Sequence, residues 1–323
     1  MFFSKKPYDP EREIGDLTGK VFLITGAYSG IGYEATKQIA AHGATVYLAC
    51  RTKDRTDAAI AQLEKDMPKL AGTSQLRFLE IDLGDMRSVK RAADEFMKQE
   101  TRLDVLVHNA GRMLGTYELQ DGIELTMAVN HLAVFVLTQA LIPILKATAQ
   151  KPDADVRVVA VSSRMHSLTP ASFKFDSLEG WNDFSGYTYN GFLANNKRYG
   201  ISKYMNILWA SRLQKIFDEE GVPITVLTLH PGLVATDAVG RITPTLLRPV
   251  IWLRSYTPAV GAYNTLFAAT SKVVAQRRDE FKGKYIEPVG KITQPHVKDP
   301  YNEVRAKTLW DTTVKISDDM LRA

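Results

Sequence analysis

Short apolar runs alternate with amphipathic segments along most of this chain. Six runs rich in β-branched and aromatic residues are separated by segments with helical spacing. Such an alternation predicts an α/β fold, a doubly wound parallel sheet of about seven strands with helices on both faces. The predicted strands are 20–25, 44–49, 75–81, 103–108, 156–162 and 223–229. The predicted helices are 30–41, 86–100, 119–148 and 195–213.

The segment after the first predicted strand is rich in glycine. It reads TGAYSGIG and contains Gly26, Gly30 and Gly32. Glycine lets backbone amides approach an anion closely, and the next helix directs its partial positive charge at the same point. Strand, glycine turn and helix in this order predict a site for the pyrophosphate of a dinucleotide. The alternative is a tight turn that holds no ligand.

Basic residues follow the second predicted strand. Arg51 comes directly after it, with Lys53 and Arg55 close behind. Proteins that bind NAD usually present an acid here to the ribose 2′-hydroxyl, and this chain presents none. Because a guanidinium suits a 2′-phosphate, we expect NADP(H) to be preferred over NAD(H). Basic residues on a solvated loop are the alternative.

Two further strand ends carry polar or small residues. Asp82 follows the third strand, where its carboxylate is placed to meet an adenine amino group or, equally well, to cap the next helix. Asn109, Ala110 and Gly111 follow the fourth strand. Because the carboxyl ends of parallel strands line the crevice of a doubly wound sheet, we expect these residues to lie at a ligand site.

Tyr199 and Lys203 lie four residues apart in a predicted helix, which places both side chains on one face. A nearby ammonium stabilises a phenolate, so Lys203 is expected to lower the pKa of Tyr199 and make it a usable acid. Tyr33 and Lys37 have the same spacing. Spacing alone therefore does not identify the functional pair.

Composition excludes several classes of protein. The net charge is +5, but the basic residues are spread along the chain and interleaved with acidic ones. This distribution argues against a surface that binds nucleic acid or a membrane. The six histidines are dispersed, so no protein-held metal is expected. The single cysteine, Cys50, allows no internal disulfide and fits a reducing compartment. The apolar runs are strand-sized, so we expect no membrane span and a soluble, cytoplasmic protein with a surface arm at residues 1–16.

Several motifs occur in a fixed order along the chain: TGAYSGIG at 25–32, Asp82-Leu83, HNAG at 108–111, Asn130, Ser162-Ser163, Tyr199 with Lys203, and His230-Pro231-Gly232. Together they resemble the short-chain dehydrogenase/reductase family, and the resemblance covers residues 17–291. The resemblance implies one NADP-binding catalytic domain over this range, followed by a C-terminal extension at 292–323. It also favours Tyr199 and Lys203 over Tyr33 and Lys37, because the former pair follows the serine strand.

The resemblance implies four catalytic residues. Tyr199 would give or take the proton on the substrate oxygen, and Lys203 would assist it while binding the nicotinamide ribose. Members of the family usually read Asn-x-x-Ser at the end of the fifth strand, and Ala160 stands where that Asn would be. This spacing points to Ser163, with Ser162 as its neighbour, as the hydroxyl that holds the carbonyl. Asn130 would hold a water that links Lys203 to solvent, unless its amide is simply satisfied inside the core.

The resemblance also implies the cofactor contacts, with Thr236 and the backbone of residues 232–234 on the nicotinamide carboxamide. The expected contacts are Gly26, Ser29, Gly30, Ile31, Gly32, Arg51, Asp82, Leu83, Asn109, Ala110, Gly111, Tyr199, Lys203, Pro231, Gly232, Val234 and Thr236.

The stretch between Ser163 and Tyr199 is longer than in compact members of the family. It resembles an insertion of retinol-dehydrogenase-like members, here Phe175-Asp176-Ser177-Leu178. Its aromatic residues are Phe173, Phe175, Trp181, Phe184, Tyr187, Tyr189 and Phe192. We expect 164–198 and 237–257 to form the wall and lid of a pocket for a sizeable apolar substrate. A packed surface excursion is the alternative.

The function expected from the sequence is NADPH-dependent reduction of a ketone or aldehyde, or the reverse oxidation of an alcohol, in specialised metabolism. A non-catalytic NADP(H)-binding sensor and an isomerase or cyclase with the same fold are the alternatives. A homodimer or a tetramer is also open, since 119–148 and 195–218 form interfaces in many relatives and the C-terminal extension would cover one of them.

Overall fold

A computed structural model describes residues 8–183, 191–235, 253 and 255–322. The strands are β1 (Val21–Thr25), β2 (Thr45–Cys50), β3 (Leu76–Glu80), β4 (Val105–His108), β5 (Leu119–Gln120), β6 (Ile123–Glu124), β7 (Val156–Val161), β8 (Ile224–Leu229), β9 (Tyr285–Glu287) and β10 (Lys291–Ile292). The α-helices before residue 190 are α1 (Pro10–Glu13), α2 (Gly30–Ala41), α3 (Lys53–Asp66), α4 (Met86–Gln99), α5 (Leu125–Met127), α6 (Ala133–Ala149) and α7 (Leu178–Asn182). Those after it are α8 (Phe192–Glu219), α9 (Pro258–Thr270), α10 (Lys272–Gln276), α11 (Arg278–Phe281) and α12 (Glu303–Arg322).

The main sheet has eight strands in the order β10-β9-β8-β7-β4-β1-β2-β3. Neighbouring strands are parallel except β9 and β10, which form an antiparallel edge. The predicted doubly wound α/β fold is confirmed. From β1 to β3 the strands are added toward one edge of the sheet, and from β4 onward they are added toward the other edge. Such a switch point, here between β1 and β4, opens a crevice at the carboxyl ends of the strands.

The central strands are buried on both faces because helices cover both sides of the sheet. Every residue of β1, β4, β7 and β8 is buried, which explains why these strands read as continuous apolar runs rather than alternating ones. One apolar layer joins the sheet to α4, α6, α8 and α12. The other joins it to α2 and α9.

The prediction of a helix at 119–148 is wrong over its first residues. β5 and β6 form a hairpin there, and Asp121 and Gly122 both have positive φ, as a two-residue turn of the primed type requires. The helical stretch begins at Leu125, where the Glu124 carboxylate accepts a hydrogen bond from the Met127 amide at 3.0 Å. A π-helical turn, Ala128–Leu132, joins α5 to α6.

This helical stretch, Leu125–Ala149, is long and apolar enough to cross a membrane by composition and length. However, 78% of its most apolar window is buried inside the protein, as in the core helix of a globular fold. No other helix among the described residues meets the same criteria.

Both ends of the described chain pack onto the sheet layers. Ile14 is only 4% exposed and belongs to the apolar layer of α2 and α9, so the prediction of a surface arm is wrong for this part of the N-terminal segment. At the other end, α12 packs on α8 and α4. Its Leu309 is fully buried, and its Thr313 hydroxyl lies 3.1 Å from Nε2 of His131. The C-terminal residues therefore cover part of α8, one of the helices that the sequence offered as a subunit interface.

Candidate active site

The glycine turn brings the ends of β1 and β4 into close contact. Gly26 and Gly30 have φ values of 66° and 57°, which favour glycine. A Cβ at Gly32 would collide with the carbonyl of Gly26 and the side-chain amide of Asn109. The Asn109 amide donates to the carbonyl of Thr25 at 3.0 Å, and the backbone amide of Ala110 donates to the Thr25 hydroxyl at 3.0 Å.

The start of α2 points at this turn with its backbone amides available. Ser29 is the N-cap residue of α2, but its side chain makes no capping hydrogen bond. Helix N-termini attract anions because their first amides have no partner within the helix. Side chains would fill the space at the glycine turn, so glycine keeps it open. The open turn and the uncapped start of α2 therefore fit a pyrophosphate group.

Arg51 and Asp82 meet at the carboxyl ends of β2 and β3. A guanidinium nitrogen of Arg51 lies 3.9 Å from a carboxylate oxygen of Asp82, and Arg51 is well exposed. Asp82 does not cap the next helix, because Asp85 is the N-cap of α4 and accepts from the Arg87 amide at 2.9 Å. The capping alternative for Asp82 is therefore wrong, and its carboxylate, which accepts from the Gly84 amide at 2.9 Å, stays at the rim of the crevice.

The Ser163 hydroxyl and the Tyr199 phenol lie near each other at the end of β7, where Ser163 stabilises the phenolate form. Ser163 follows β7 directly, and Tyr199 lies on α8, which runs past the same strand end. The neighbouring Ser162 has another role, because its hydroxyl donates to the Lys203 carbonyl at 2.9 Å and ties α8 to β7. Of the two serines, Ser163 is the one that faces the phenol.

Lys203 lies beside this pair and is 2% exposed. Its ammonium donates to the Val161 carbonyl at 2.8 Å and lies 5.4 Å from the centre of the Tyr199 ring. A Cβ at Gly111 would approach this ammonium to 3.0 Å, so the small residue after β4 leaves room for it. Tyr199, Ser163 and Lys203 are thus gathered where β4, β7 and α8 meet.

Burial governs the ionisation of both groups. It raises the pKa of Tyr199 to about 12, although the nearby Ser163 hydroxyl acts in the opposite direction. Burial also lowers the pKa of Lys203 to about 8. The prediction that Lys203 brings the pKa of Tyr199 down is therefore wrong for this structure, since the loss of hydration on burial has the largest effect on this pKa.

Asn130 connects three parts of the site from inside the π-helical turn. It is fully buried, and its carbonyl oxygen accepts from the Arg112 amide at 2.7 Å. Its amide nitrogen donates to the Arg112 carbonyl at 2.9 Å and to the Ser202 hydroxyl at 3.0 Å, while Ser202 donates to the Tyr199 carbonyl at 2.7 Å. The side chain is satisfied by protein groups, as the alternative interpretation predicted. This network fixes the loop after β4 relative to the backbone of Tyr199.

The other tyrosine–lysine pair lies elsewhere. Tyr33 belongs to α2, behind the glycine turn, and burial together with nearby Asp66 and Glu34 raises its pKa. Lys37 follows it on the same helix. Neither residue is part of the arrangement around Ser163.

The residues after β8 close another edge of the crevice. Gly232 has a φ of 91°, and a Cβ there would press on the ring of Tyr256. Val234 pairs with Tyr256 in a parallel bridge, in which the Ala235 amide donates to the Tyr256 carbonyl at 2.9 Å. Pro231 lies at the start of this turn. Thr236 and most of 237–257 lie outside the described residues.

Part of the predicted pocket wall packs into the core instead. Phe175 and Trp181 are 6% and 0% exposed, and the Trp181 indole donates to the Phe175 carbonyl at 3.2 Å. Phe173 packs against Phe175 with ring centres 5.0 Å apart. These three side chains therefore pack against the protein, as the alternative to a pocket wall predicted. Phe192 is about half exposed at the start of α8, while Phe184, Tyr187 and Tyr189 lie outside the described residues.

A polar cluster behind Ser163 had no signal in the sequence. His166 Nδ1 lies 2.6 Å from the Ser163 carbonyl, and His166 Nε2 accepts from the His296 amide at 2.7 Å. His230 and Arg164 lie beside this pair, and burial lowers the pKa of both His166 and His230 to about 4. In chain order these histidines are far apart, so only folding brings them together. Across the described ranges, no group of three or more potential ligands is placed to hold a metal ion.

Comparisons with known proteins agree with this architecture. A family model described as short chain dehydrogenase matches residues 20–173. The short chain dehydrogenase/reductase dpchH of Colletotrichum higginsianum is 40% identical, with 93% of this chain and 75% of that protein covered. A short-chain dehydrogenase/reductase of Armillaria gallica is 37% identical, with 94% of each chain covered.

Solved structures share the fold. An uncharacterised protein from Mycobacterium paratuberculosis superimposes with a TM-score of 0.71 at 26% identity, covering 97% of this chain and 98% of that one. The complex of Pseudomonas aeruginosa RhlG with NADP gives a TM-score of 0.62 at 22% identity, covering 86% of this chain and 98% of that one.

Proposed function

Since the chain belongs to the short-chain dehydrogenase/reductase family, we propose that it is an NADPH-dependent reductase of a sizeable apolar ketone or aldehyde. The observation that carries this proposal is the proximity of the Ser163 hydroxyl to the Tyr199 phenol, beside the buried Lys203. Hydride addition builds negative charge on a carbonyl oxygen. A hydroxyl, a phenol and an ammonium gathered at one strand end stabilise that charge more in the transition state than in the ground state.

Each residue has a distinct part in this proposal. The Ser163 hydroxyl donates a hydrogen bond to the substrate carbonyl and fixes its orientation. The Tyr199 phenol gives its proton to the same oxygen as the charge develops. Lys203 then stabilises the phenolate that remains, and Asn130 holds the loop and helix backbones that place these groups. When bound, NADPH supplies the hydride.

The raised pKa of Tyr199 suits this phenol to act as an acid at neutral pH. With a pKa of about 12, the phenol keeps its proton at neutral pH and is available as an acid. The reverse oxidation needs a base, so the phenol would first have to lose a proton against this pKa. We therefore propose that Tyr199 is present at neutral pH in the form that the reduction of a carbonyl compound requires.

The cofactor is assigned to the crevice from the residues that fit each of its parts. The uncapped start of α2 and the glycine turn, with Gly26, Ser29, Gly30, Ile31 and Gly32, suit the pyrophosphate. Arg51 suits a 2′-phosphate, and Asp82 with Leu83 lies where the adenine would meet β3. Asn109, Ala110 and Gly111 are assigned to its central part. Tyr199, Lys203, Pro231, Gly232, Val234 and Thr236 are assigned to the nicotinamide end.

Apolar side chains near the reacting groups support an apolar substrate. A cavity of about 420 Å³ begins at Arg164, the residue after Ser163, and is lined by Arg164, Met165, Ser167, Leu168 and His296. Leu168, Leu233 and Tyr256 are each exposed by 42% or more of their surface. Large apolar side chains left exposed on the segments that follow β7 and β8 support an apolar substrate.

The test is an assay of NADPH oxidation, followed by absorbance, with a panel of bulky apolar ketones and aldehydes. We expect substrate-dependent oxidation and, with NADPH deuterated at the transferred position, a product that carries the label at the former carbonyl carbon. Turnover of substrate without label in the product would instead indicate an isomerase or cyclase. NADPH binding without turnover of any compound would favour a sensor.

A further inference from the structure

A second cavity, of about 670 Å³, lies away from the reacting groups. It is enclosed by the start of α4, the β5–β6 hairpin, α7 and the second half of α12. Neither Ser163, Tyr199 nor Lys203 lines it. Its volume is within the range of sites that take small organic molecules, roughly 300–1,000 Å³.

The inner surface of this cavity is apolar. Met86, Ile123 and Ile316 are nearly fully buried, and they come from three separate elements. Leu178 and Met320 add partly buried apolar surface. Such a lining favours a ligand with a hydrophobic body, because its burial removes apolar surface of both partners from water.

The rim is strongly acidic, although the whole chain has a net charge of +5. Basic side chains at the cavity are Arg87 and Lys315. Acidic side chains outnumber them and are Asp85, Asp121, Asp176, Glu179, Asp311 and Asp319. A concave surface with an excess of charges of one sign concentrates the opposite charge.

Most of these acids are not neutralised by neighbouring groups. Asp85 caps α4, and Asp311 pairs with Lys307. By contrast, the carboxylates of Asp121, Asp176, Glu179 and Asp319 have no ion pair or hydrogen bond with any other described residue. The cavity thus combines an apolar interior with carboxylates available to a cation.

We propose that this cavity is a second binding site, which takes a small organic cation with an apolar body, such as an aryl-alkyl amine. The apolar part would fill the interior, and the ammonium would remain at the rim among the carboxylates, where it keeps contact with water. A neutral molecule of the same shape gains only the apolar contribution, and an anion is repelled. Binding there is separate from the proposed hydride transfer.

Calorimetric titration of the full-length protein at low ionic strength tests this site. The probes are phenylalkylamines with chains of two to six carbons, each paired with the phenylalkanol of equal length. We expect at least one amine to bind with a stoichiometry of one, about tenfold more tightly than its alcohol, and to weaken as salt is added. Failure of every amine to bind, or equal binding of amine and alcohol, would overturn the proposal.

Adjacent residues on α12 provide a matched pair of variants. Asp319 lines the cavity, whereas Asp318 does not and faces Arg322 at 3.7 Å. We expect Asp319→Asn to weaken amine binding about fivefold and Asp318→Asn to leave it within twofold, because only the first removes a charge at the rim. Both side chains are exposed, so both variants should fold. Equal effects of the two would show that the amine binds elsewhere or through net charge alone, and would reject the site.

Discussion

The Lys203 ammonium lies 5.4 Å from the centre of the Tyr199 ring, and both groups are held where burial controls their charge. Burial disfavours the phenolate and the ammonium alike, because both are charged. It therefore raises the pKa of Tyr199 and lowers the pKa of Lys203. At neutral pH, Tyr199 keeps its proton, and Lys203, with a pKa of about 8, is near the point where its charge is lost. The pair is therefore set up for proton donation.

The pKa of Lys203 predicts a dependence of stability on pH. An unfolded chain keeps this proton up to about pH 10.5, whereas the folded protein releases it near pH 8. Between these values the unfolded state binds more protons, so stability rises with pH. The free energy of unfolding of the wild type, relative to Lys203→Met, should increase by roughly 3 kcal/mol from pH 7.5 to 10.5. Urea denaturation at several pH values measures this difference, and a flat difference would contradict the lowered pKa.

Arg51 is predicted to determine the choice between NADPH and NADH. Arg51→Asp should weaken NADPH binding by tenfold or more while changing NADH binding far less, because only NADPH carries the 2′-phosphate. Lys53→Asp is the control, since the Lys53 ammonium is already paired with Asp57 at 2.5 Å. Fluorescence titration with both cofactors measures the effect. If Arg51→Asp weakens both equally, Arg51 does not recognise the phosphate.

His166 is predicted to position Ser163 through the backbone. Its ring bridges the Ser163 carbonyl and the His296 amide, and His166→Phe would remove both hydrogen bonds while keeping an aromatic ring against Tyr285. We expect kcat to fall about tenfold, with the KM for NADPH nearly unchanged. His166→Gln, whose amide both donates and accepts, should recover part of the loss. A uniform loss of cofactor binding and turnover in both variants would indicate a general folding defect instead.

The buried ion pair of Glu124 and Arg198 is predicted to stabilise the site region. Their charged groups lie 3.4 Å apart, both fully buried, and join the start of α5 to the residue before Tyr199. Arg198→Met should lower the free energy of unfolding by about 3–5 kcal/mol, because it removes the cation paired with a buried carboxylate. Combining it with Glu124→Gln should cost less than the sum of the single changes. Additive effects in urea denaturation would mean that the pair is not coupled.

Much of the sheet was predictable from sequence because its central strands are continuous apolar runs between glycines and polar residues. Helix α2 begins and ends where the sequence predicts, at Gly30 and Ala41. The hairpin at Asp121-Gly122 was missed although this dipeptide is a known turn signal, because the apolar residues around it also fit helical spacing. The edge strands β9 and β10 are too short to show any periodicity.

At the site, the resemblance to the family implied that Ser163, Tyr199 and Lys203 would meet. Two features required coordinates. The contact between His166 and His296 joins residues 130 positions apart, so no local spacing reveals it. The direction of the Tyr199 pKa depends on how deeply the phenol is buried, and a motif does not specify burial.

The most direct test of the proposed function is the reduction rate of Tyr199→Phe, which removes only the phenolic oxygen. Tyr33→Phe is the matched control, because Tyr33 has the same spacing to a lysine but lies on α2. We expect Tyr199→Phe to bind NADPH within about twofold of wild type and to lose 10²-fold or more of its reduction rate, the range expected for a lost general acid. Tyr33→Phe should keep its activity. Reduction at the wild-type rate by Tyr199→Phe would contradict the account.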